Sequence, residues 1–148
     1  TKEFMNERLL ISTKDPLTWE GAKNLIEGGQ TIGGHSKNHC RLSHLDIDEL
    51  KTEIVDDKKR TESMLGIRLV HFAYPFGNDV DFEGKAKEQV LRADYSFVYT
   101  AKTGWYNDCP HEIPRTLLEK NQPTASIIRW MEGGYDIFSS ISRLVKLR

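Results

Sequence analysis

Apolar residues recur at helical spacing in five stretches of the chain: 18–27, 46–65, 82–91, 125–132 and 137–146. The longest begins with Asp46 and Glu49, whose spacing is that of a capping box, and it stops before Gly66. The first begins at Thr18, a residue type that caps helices well, and stops before Gly28. Each of these patterns predicts an amphipathic helix with one buried face.

Runs of apolar and β-favouring residues lie between these helices, at 30–34, 67–74, 95–100 and 112–116. Strands that alternate with helices predict parallel βαβ units, and therefore an α/β fold with mostly parallel strands. No repeat or linker divides the chain, so residues 1–148 are predicted to form a single domain. In such folds the chemistry lies beyond the carboxyl ends of the strands, where this chain has its segments 34–39 and 74–77.

The composition excludes several classes of protein. With 148 residues, 38% hydrophobic and 29% charged, the chain is expected to be globular rather than disordered. Its formal net charge of -1 and the lack of a basic stripe argue against nucleic acid as a partner, and no apolar run is long enough to cross a membrane. No signal-peptide pattern is visible after Thr1. Cys40 and Cys109 form no CxxC pair, and the residues leave open whether they are bridged or buried free thiols.

His35 and His39 are four residues apart, which lets two imidazoles face one point within a tight turn. Neutral imidazole is a good ligand for Zn²⁺ and other first-row divalent ions, and a third ligand, usually a carboxylate, must come from elsewhere. An isolated H-x-x-x-H pattern is weak, and by itself it favours two surface or structural histidines.

The order of motifs strengthens the metal interpretation. Several segments follow one another at spacings typical of a known family: Leu-Thr-Trp-Glu from Leu17, Gly-Gly-His-Ser-Lys-Asn-His through His39, Leu42-Ser43, Tyr-Pro-Phe-Gly through Gly77, and Ile113-Pro114-Arg115. From about residue 17 to residue 115 the chain resembles the polysaccharide deacetylases, the NodB-like carbohydrate esterases. That resemblance implies a distorted (β/α) barrel and hydrolysis of N-acetyl groups on sugars.

The resemblance also implies roles for individual residues. His35 and His39 match the family's metal-binding pair, with Zn²⁺ as the expected ion. Phe76 matches the position whose backbone N–H helps to hold the oxyanion. Pro75 and Gly77 shape that loop, and with Tyr74 and Trp105 they are expected to lie beside the substrate: Trp105 by stacking on a sugar ring, although partial burial explains it as well.

The chain departs from the family pattern before the histidines. The family's first strand ends in a Thr-Phe-Asp-Asp-Gly-like motif that supplies the general base and the third metal ligand, and residues 1–15 contain no Asp-Asp. Asp56-Asp57 lies inside a predicted helix and is interpreted as part of its solvated face. We therefore expect an incomplete barrel that lacks its first strand or strands and is inactive by itself.

Two further departures concern catalytic side chains. Ala73 stands where the family often has arginine, and Arg115 is a candidate to orient the base in its place, although a surface or structural ion pair is an equal alternative. The Leu-x-His motif that supplies the usual general acid is not evident. His44, His71 and His111 are interpreted as structural or loop histidines.

Two classes of function are consistent with these observations. The first is a metal-dependent hydrolase that removes N-acetyl groups from a polysaccharide or glycan precursor. The alternative is a degenerate, non-catalytic glycan-binding module of the same fold, and a weaker third is a subunit completed by another chain. The expected partner is an N-acetylated glycan, with self-association if a sheet edge is bare. The compartment stays open, although members of the family are often secreted or associated with the cell envelope.

Overall fold

The computed structural model describes residues 16–104, 106, 108–118 and 121–132. The chain divides after Ile32 into two compact units. In the first unit, helix α1 covers Trp19–Glu27, and the Thr18 side chain accepts a hydrogen bond from the Gly21 amide at 3.0 Å. The predicted first helix and its N-cap are therefore confirmed.

The second unit contains the long helical segment that the sequence predicts. After a 3₁₀ turn at Leu42–His44, it consists of helix α2, Ile47–Leu50, a π-helical stretch, Lys51–Asp56, and helix α3, Asp57–Leu65. The predicted capping box is present, since the Asp46 side chain accepts from the Glu49 amide at 2.9 Å and the Glu49 carboxylate accepts from the Asp46 amide at 3.0 Å. The π-helical stretch in the middle was not predicted.

The next helical segment is broken where one continuous helix was predicted over 82–91. Helix α4 covers Asp79–Phe82 and helix α5 covers Lys85–Arg92. Between them Glu83 adopts an extended conformation with ψ 161°, which interrupts the helical hydrogen bonds. The apolar face is nevertheless as predicted, because the side chains of Phe82, Ala86 and Val90 are all buried.

A small parallel sheet carries the site. Strands β1, His71–Ala73, and β2, Phe97–Tyr99, pair in parallel with Phe72 opposite Val98. Single parallel bridges join Gly34 to Phe72 on one side and Tyr99 to Ile113 on the other. The predicted order and parallel direction of the four segments are confirmed.

The strands are shorter than predicted. The run 67–74 contributes only three residues to β1, because the Leu69 amide donates to the Glu62 carboxylate at 2.8 Å instead of to a neighbouring strand. The runs 30–34 and 112–116 contribute a single bridged residue each, Gly34 and Ile113. A ladder of hydrogen bonds needs a backbone partner at every second residue of a strand. Among the described residues, the neighbouring segments provide such partners only near Gly34 and Ile113.

The core of the second unit is aromatic and aliphatic. Its most buried side chains come from the 3₁₀ turn and the helices that follow it, and from the two strands with the residues beside them: Leu42, Leu50, Ile54, Leu69, Phe72, Tyr74, Phe82, Val90 and Val98. The Tyr74 ring stacks on the Phe82 ring with centroids 4.0 Å apart. This packing anchors the start of the loop that follows β1.

Helix α6 covers Thr124–Met131 and confirms the helix predicted over 125–132. The helix predicted over 137–146 lies outside the described residues. None of the helices in the part of the chain that the structure describes is both long and apolar enough to cross a membrane.

Candidate metal centre and catalytic cavity

The parallel segments of the second unit all end at the same edge, and a cavity of about 530 Å³ opens there. Residues that follow each segment line it: His35 and His39 after Gly34, Phe76 and Asn78 after β1, Ala101 after β2, and Arg115 after Ile113. The sequence predicted that the chemistry would lie beyond the carboxyl ends of parallel strands. The structure brings four of the predicted site residues together at this place.

The two histidines contact each other at the wall of the cavity. Their ring centroids are 4.9 Å apart, with 70° between the ring planes. The Nδ1 atom of His35 lies 2.7 Å from the carbonyl oxygen of Ala73. A carbonyl can only accept a hydrogen bond, so Nδ1 carries the ring proton and the other ring nitrogen, Nε2, is left with a lone pair.

The donor set fits a divalent cation. Two imidazoles that share a tetrahedral zinc at about 2.0–2.1 Å have ring centroids roughly 5 Å apart. The observed centroid separation of 4.9 Å is compatible with this distance. Among the residues that the structure describes, no group of three histidine, cysteine, aspartate or glutamate side chains is close enough to hold a metal ion. The described part of the chain therefore offers two ligands of a site that needs at least one more.

The loop that carries the histidines has an unusual backbone. Ser36 and His39 both adopt the left-handed conformation, with φ values of 62° and 53°. The Ser36 hydroxyl accepts a hydrogen bond from the His39 amide at 3.0 Å. Left-handed conformations are costly for residues other than glycine, and they persist where surrounding contacts hold them.

Those contacts come largely from Glu53, in the π-helical stretch. Its carboxylate accepts hydrogen bonds from the Asn38 amide at 2.8 Å and from the Asn38 side chain, and its backbone carbonyl accepts from the Lys37 amide at 3.2 Å. Burial raises the pKa of Glu53, but the hydrogen bonds from Asn38 and the Cys40 thiol outweigh it and hold the pKa below its ordinary value. Glu53 is thus a charged group fastened to the loop between the histidines.

The loop after β1 makes a three-residue γ-turn centred on Phe76. The Gly77 amide donates to the Pro75 carbonyl at 2.6 Å, and Phe76 has a φ of 59°. This conformation is rare and strained. The Phe76 side chain remains 45% exposed, and its ring lies edge-on to the His39 ring with centroids 5.0 Å apart. The turn thereby places the Phe76 ring beside His39.

An arginine links the two loops. The Arg41 guanidinium lies over the Phe76 ring, 4.8 Å from its centroid, and forms an ion pair with the buried Asp81 carboxylate at 2.6 Å. Asp81 also accepts from the Asn78 amide as part of the capping box of α4. The Phe76 ring is therefore held between an imidazole and a fixed guanidinium.

Arg115 reaches into the strand ends from the other side of the cavity. Its Nε donates to the Thr100 carbonyl and one terminal nitrogen donates to the Tyr74 carbonyl, each at 2.9 Å. Burial lowers the pKa of the guanidinium. Arginine carries five N–H donors, and the two bonds use only part of that set. The idea that Arg115 orients a catalytic base stays a prediction, and these contacts place it where it could do so.

The remaining predicted site residues have different surroundings. The side chains of Tyr74 and Pro75 are buried, and of this loop Phe76 and Asn78 line the cavity. Gly77 is packed against Ala101, whose amide donates to the Gly77 carbonyl at 2.8 Å. Trp105 lies outside the described residues.

The other histidines and the paired aspartates lie apart from this cavity. His71 lies near the Tyr99 hydroxyl at 3.0 Å and stacks on Phe97, His44 is exposed, and His111 is half-buried. Asp56 is exposed as predicted, whereas Asp57 is half-buried, and burial together with the charge of Glu53 raises the pKa of Asp57. None of these side chains lines the cavity.

Sequence reasoning missed Glu53, Arg41 and Asp81. One signal existed for Glu53, because it lies three residues after Leu50 and directly before Ile54, and therefore on the apolar side of the predicted helix. A carboxylate in that position must find donors when the face is buried. No local pattern marks Arg41 and Asp81, which are 40 residues apart.

Comparison with known proteins agrees with the fold. The sequence model of the polysaccharide deacetylase family matches residues 3–98. A peptidoglycan-N-acetylglucosamine deacetylase of Bacillus cereus is 28% identical over 127 residues, which cover 84% of this chain and 58% of that protein. The chain thus spans somewhat more than half the length of this relative.

Solved structures show the same fold at lower identity. A Streptococcus pyogenes deacetylase in complex with acetate matches with a TM-score of 0.70 and 20% identity, over 82% of this chain and 53% of the other. A polysaccharide deacetylase of Bacillus cereus matches with a TM-score of 0.67 and 17% identity, over 81% and 38% of the two chains. The predicted α/β fold of the NodB type is confirmed. The chain belongs to the polysaccharide deacetylase family.

Proposed function

We propose that this chain is part of a metal-dependent hydrolase that removes N-acetyl groups from a polysaccharide or glycan precursor. The observation that carries the proposal is the neighbouring pair of imidazoles, His35 and His39, at a cavity that the strained turn at Phe76 also lines. Family membership supports the reaction class, and the geometry supports a place for it.

In this proposal the imidazoles of His35 and His39 hold a divalent cation, with Zn²⁺ as the expected ion. A bound cation of this kind lowers the pKa of a water molecule and polarises an amide carbonyl. The Ala73 carbonyl keeps the proton on Nδ1 of His35 and so presents Nε2 as the ligand. The remaining ligand and the general base have to come from outside the described residues, since no third ligand group lies with the pair among those described.

The loop after β1 would stabilise the charge that develops on the carbonyl oxygen. In this role the γ-turn at Phe76 would present its backbone N–H to the oxyanion, and one preorganised oxyanion donor lowers the barrier by about 2.7–4 kcal/mol in other hydrolases. Arg115 would hold a carboxylate base by the N–H groups that the Tyr74 and Thr100 carbonyls do not use.

A carbohydrate substrate suits the cavity. Its volume of about 530 Å³ is within the range of small-molecule sites, about 300–1,000 Å³. Phe76 and the 73% exposed Leu117 give it apolar surface beside polar groups, as sugar faces and edges require. The Bacillus cereus relative is a peptidoglycan-N-acetylglucosamine deacetylase, which makes a glycan that contains N-acetylglucosamine the first substrate class to test.

The decisive experiment measures acetate release from an acetylated chito-oligomer, with Zn²⁺ and with a chelator. The full natural gene product should release acetate only with metal, and His35→Ala should reduce the rate at least about 100-fold, as expected when a metal ligand is lost. His44→Ala, which alters an exposed histidine outside the cavity, is the matched control and should leave the rate unchanged.

The 148-residue chain by itself should release little or no acetate. Metal-dependent turnover by this chain would contradict the inactivity predicted from its sequence. If the full gene product still releases acetate in the presence of a chelator and after His35→Ala, that result would remove the metal site from the proposal. Binding of the oligomer without any acetate release would favour the glycan-binding module instead.

A further inference from the structure

The segment 35–40, called here the histidine loop, needs support from outside itself. It runs from His35 to Cys40 and contains two non-glycine residues with positive φ, Ser36 and His39. Each such conformation costs about 1–3 kcal/mol unless its surroundings over-determine it. The one contact within the loop that addresses this is the bond from the His39 amide to the Ser36 hydroxyl, and Ser36 itself is left-handed.

Glu53 holds the loop at the two residues that precede His39. Asn38 donates to the Glu53 carboxylate through its backbone amide and through its side chain. Lys37 adds a bond from its amide to the Glu53 backbone carbonyl at 3.2 Å. One residue therefore accepts three hydrogen bonds from the segment directly before a metal-ligand candidate.

The hydrogen bonds from the histidine loop to Glu53 require a carboxylate as their acceptor. Glu53 is only 6% exposed, and the described residues place no lysine or arginine in an ion pair with it. A buried charge is tolerated when hydrogen-bond donors satisfy it, and the loop supplies those donors. The bonds consequently stabilise the carboxylate and the loop together.

The π-helical stretch explains how Glu53 reaches the loop. Lys51–Asp56 departs from α-helical hydrogen bonding between two regular helices, and Glu53 and Ile54 are its buried residues. Single π-helical turns inside α-helices often occur at functional sites, where they redirect a side chain. Here the side chain concerned is that of Glu53, which accepts the hydrogen bonds from the histidine loop.

We propose that Glu53 is a positioning residue for the metal centre: by binding Lys37 and Asn38 it holds the His39 imidazole beside that of His35. The proposal rests on the proposed function, since it concerns the same metal site. It goes further in naming a residue that touches neither the cation nor the substrate but fixes the distance between the two ligands.

Two single substitutions test the contact from its two sides. In Glu53→Gln the bond from the Asn38 backbone loses its charged acceptor and is weaker, and the introduced amide nitrogen cannot accept from the Asn38 side chain. In Asn38→Asp, on the exposed side, a second carboxylate faces the first. Each should weaken Zn²⁺ binding about 10–100-fold, the usual loss when a partner of a metal ligand is removed. The measurement is calorimetric titration of the 148-residue chain with Zn²⁺, with the His35→Ala chain as the baseline for binding elsewhere.

The double variant separates positioning from mere stability. Glu53→Gln with Asn38→Asp exchanges donor and acceptor across the same contact, so it should recover most of the Zn²⁺ affinity that either single change removes. Glu62→Gln is the control for stability, because Glu62 is half-buried and accepts from the Leu69 amide at 2.8 Å, away from the histidine loop. It should lower the unfolding temperature and leave the Zn²⁺ affinity unchanged.

A second readout needs no metal. Hydrogen exchange of the Asn38 amide, followed by NMR in the metal-free chain, should be slow in the wild type and in Glu62→Gln, and faster in Glu53→Gln and Asn38→Asp. Wild-type Zn²⁺ affinity in both single variants, or a double variant no better than either, would overturn the proposal. If the wild-type 148-residue chain binds no Zn²⁺, as its incomplete ligand set would explain, the exchange measurement decides alone, and unchanged Asn38 exchange in Glu53→Gln would overturn the role of Glu53. The proposed function is tested separately, by acetate release from the full gene product.

Discussion

At the scale of single residues, the site depends on polar groups that satisfy backbone atoms at the ends of strands. Arg115 donates to the carbonyls of Tyr74 and Thr100, two residues that are each only 1% exposed. A buried carbonyl that loses its donor costs about 1–3 kcal/mol. The same guanidinium lines the cavity, so its structural and its proposed catalytic roles are combined in one side chain.

Replacing Arg115 should therefore destabilise the fold as well as the site. We expect Arg115→Ala to lower the free energy of unfolding by about 2–4 kcal/mol, because two buried carbonyls lose their donor. Arg68→Ala, which removes an exposed ion pair with Asp94, should cost no more than about 1 kcal/mol. Chemical denaturation of the two variants provides the comparison. Equal costs would show that the carbonyl contacts of Arg115 contribute little.

The catalytic role of Arg115 requires a separate readout. In the full gene product, acetate release by Arg115→Ala should be measured well below its unfolding temperature, so that lost stability does not reduce the rate. Unchanged turnover under those conditions would remove Arg115 from the mechanism and leave it a structural residue.

At the scale of elements, the loop after β1 is specified by a close approach as much as by its turn. Gly77 has a φ of 82°, and a Cβ added there would lie 2.7 Å from the Ala101 amide and 3.1 Å from an Arg115 nitrogen. Gly66, which ends α3, has a φ of 69° but nothing within 4 Å of such a Cβ. Both glycines adopt a positive φ, but a Cβ would meet neighbouring atoms only at Gly77.

This difference predicts unequal effects of alanine at the two positions. Gly66→Ala should cost about 1–2 kcal/mol, the usual penalty of a left-handed alanine. Gly77→Ala should cost about 1–3 kcal/mol more, since β2 and Arg115 must move to admit the methyl group. Urea unfolding of both variants measures the difference, and a Gly77→Ala chain as stable as Gly66→Ala would mean that the loop adjusts freely.

At the scale of the whole molecule, the prediction to test is that the chain unfolds as one cooperative domain rather than as two. The sequence predicts one domain over residues 1–148, and the structure divides the chain after Ile32 into two compact units. The second unit contains the sheet, the cavity and every described residue of the site. The chain also spans 58% of the length of its Bacillus cereus relative.

Calorimetry tests the single-domain prediction. One domain should give a single heat-absorption peak whose calorimetric enthalpy equals the van't Hoff enthalpy, because the parts then unfold together. Two peaks, or a calorimetric enthalpy well above the van't Hoff value, would show that the units unfold separately. The Gly66→Ala chain is a useful companion, because it should shift the peak that belongs to the second unit.

Local signals along the chain were sufficient for much of the fold. The Thr18 cap, the Asp46–Glu49 capping box and the helix face at Phe82, Ala86 and Val90 depend on neighbours within a few residues, and all are present in the structure. The parallel order of the strands followed from their alternation with helices. The placement of His35 and His39 at the strand ends followed from that order.

Contacts between distant segments decided the rest. Strand β1 is shorter than predicted because the Leu69 amide donates to the Glu62 carboxylate. Helices α4 and α5 are separate because the chain is extended at Glu83, although the apolar pattern continues across it. Glu53 reaches Asn38 across 15 residues and Arg115 reaches Tyr74 across 41. No local pattern encodes such pairs, because hydrogen-bond partners far apart in sequence are chosen by which groups burial brings together. A sequence can therefore indicate candidate ligands by their local spacing, while the folded chain selects the residues that hold them in place.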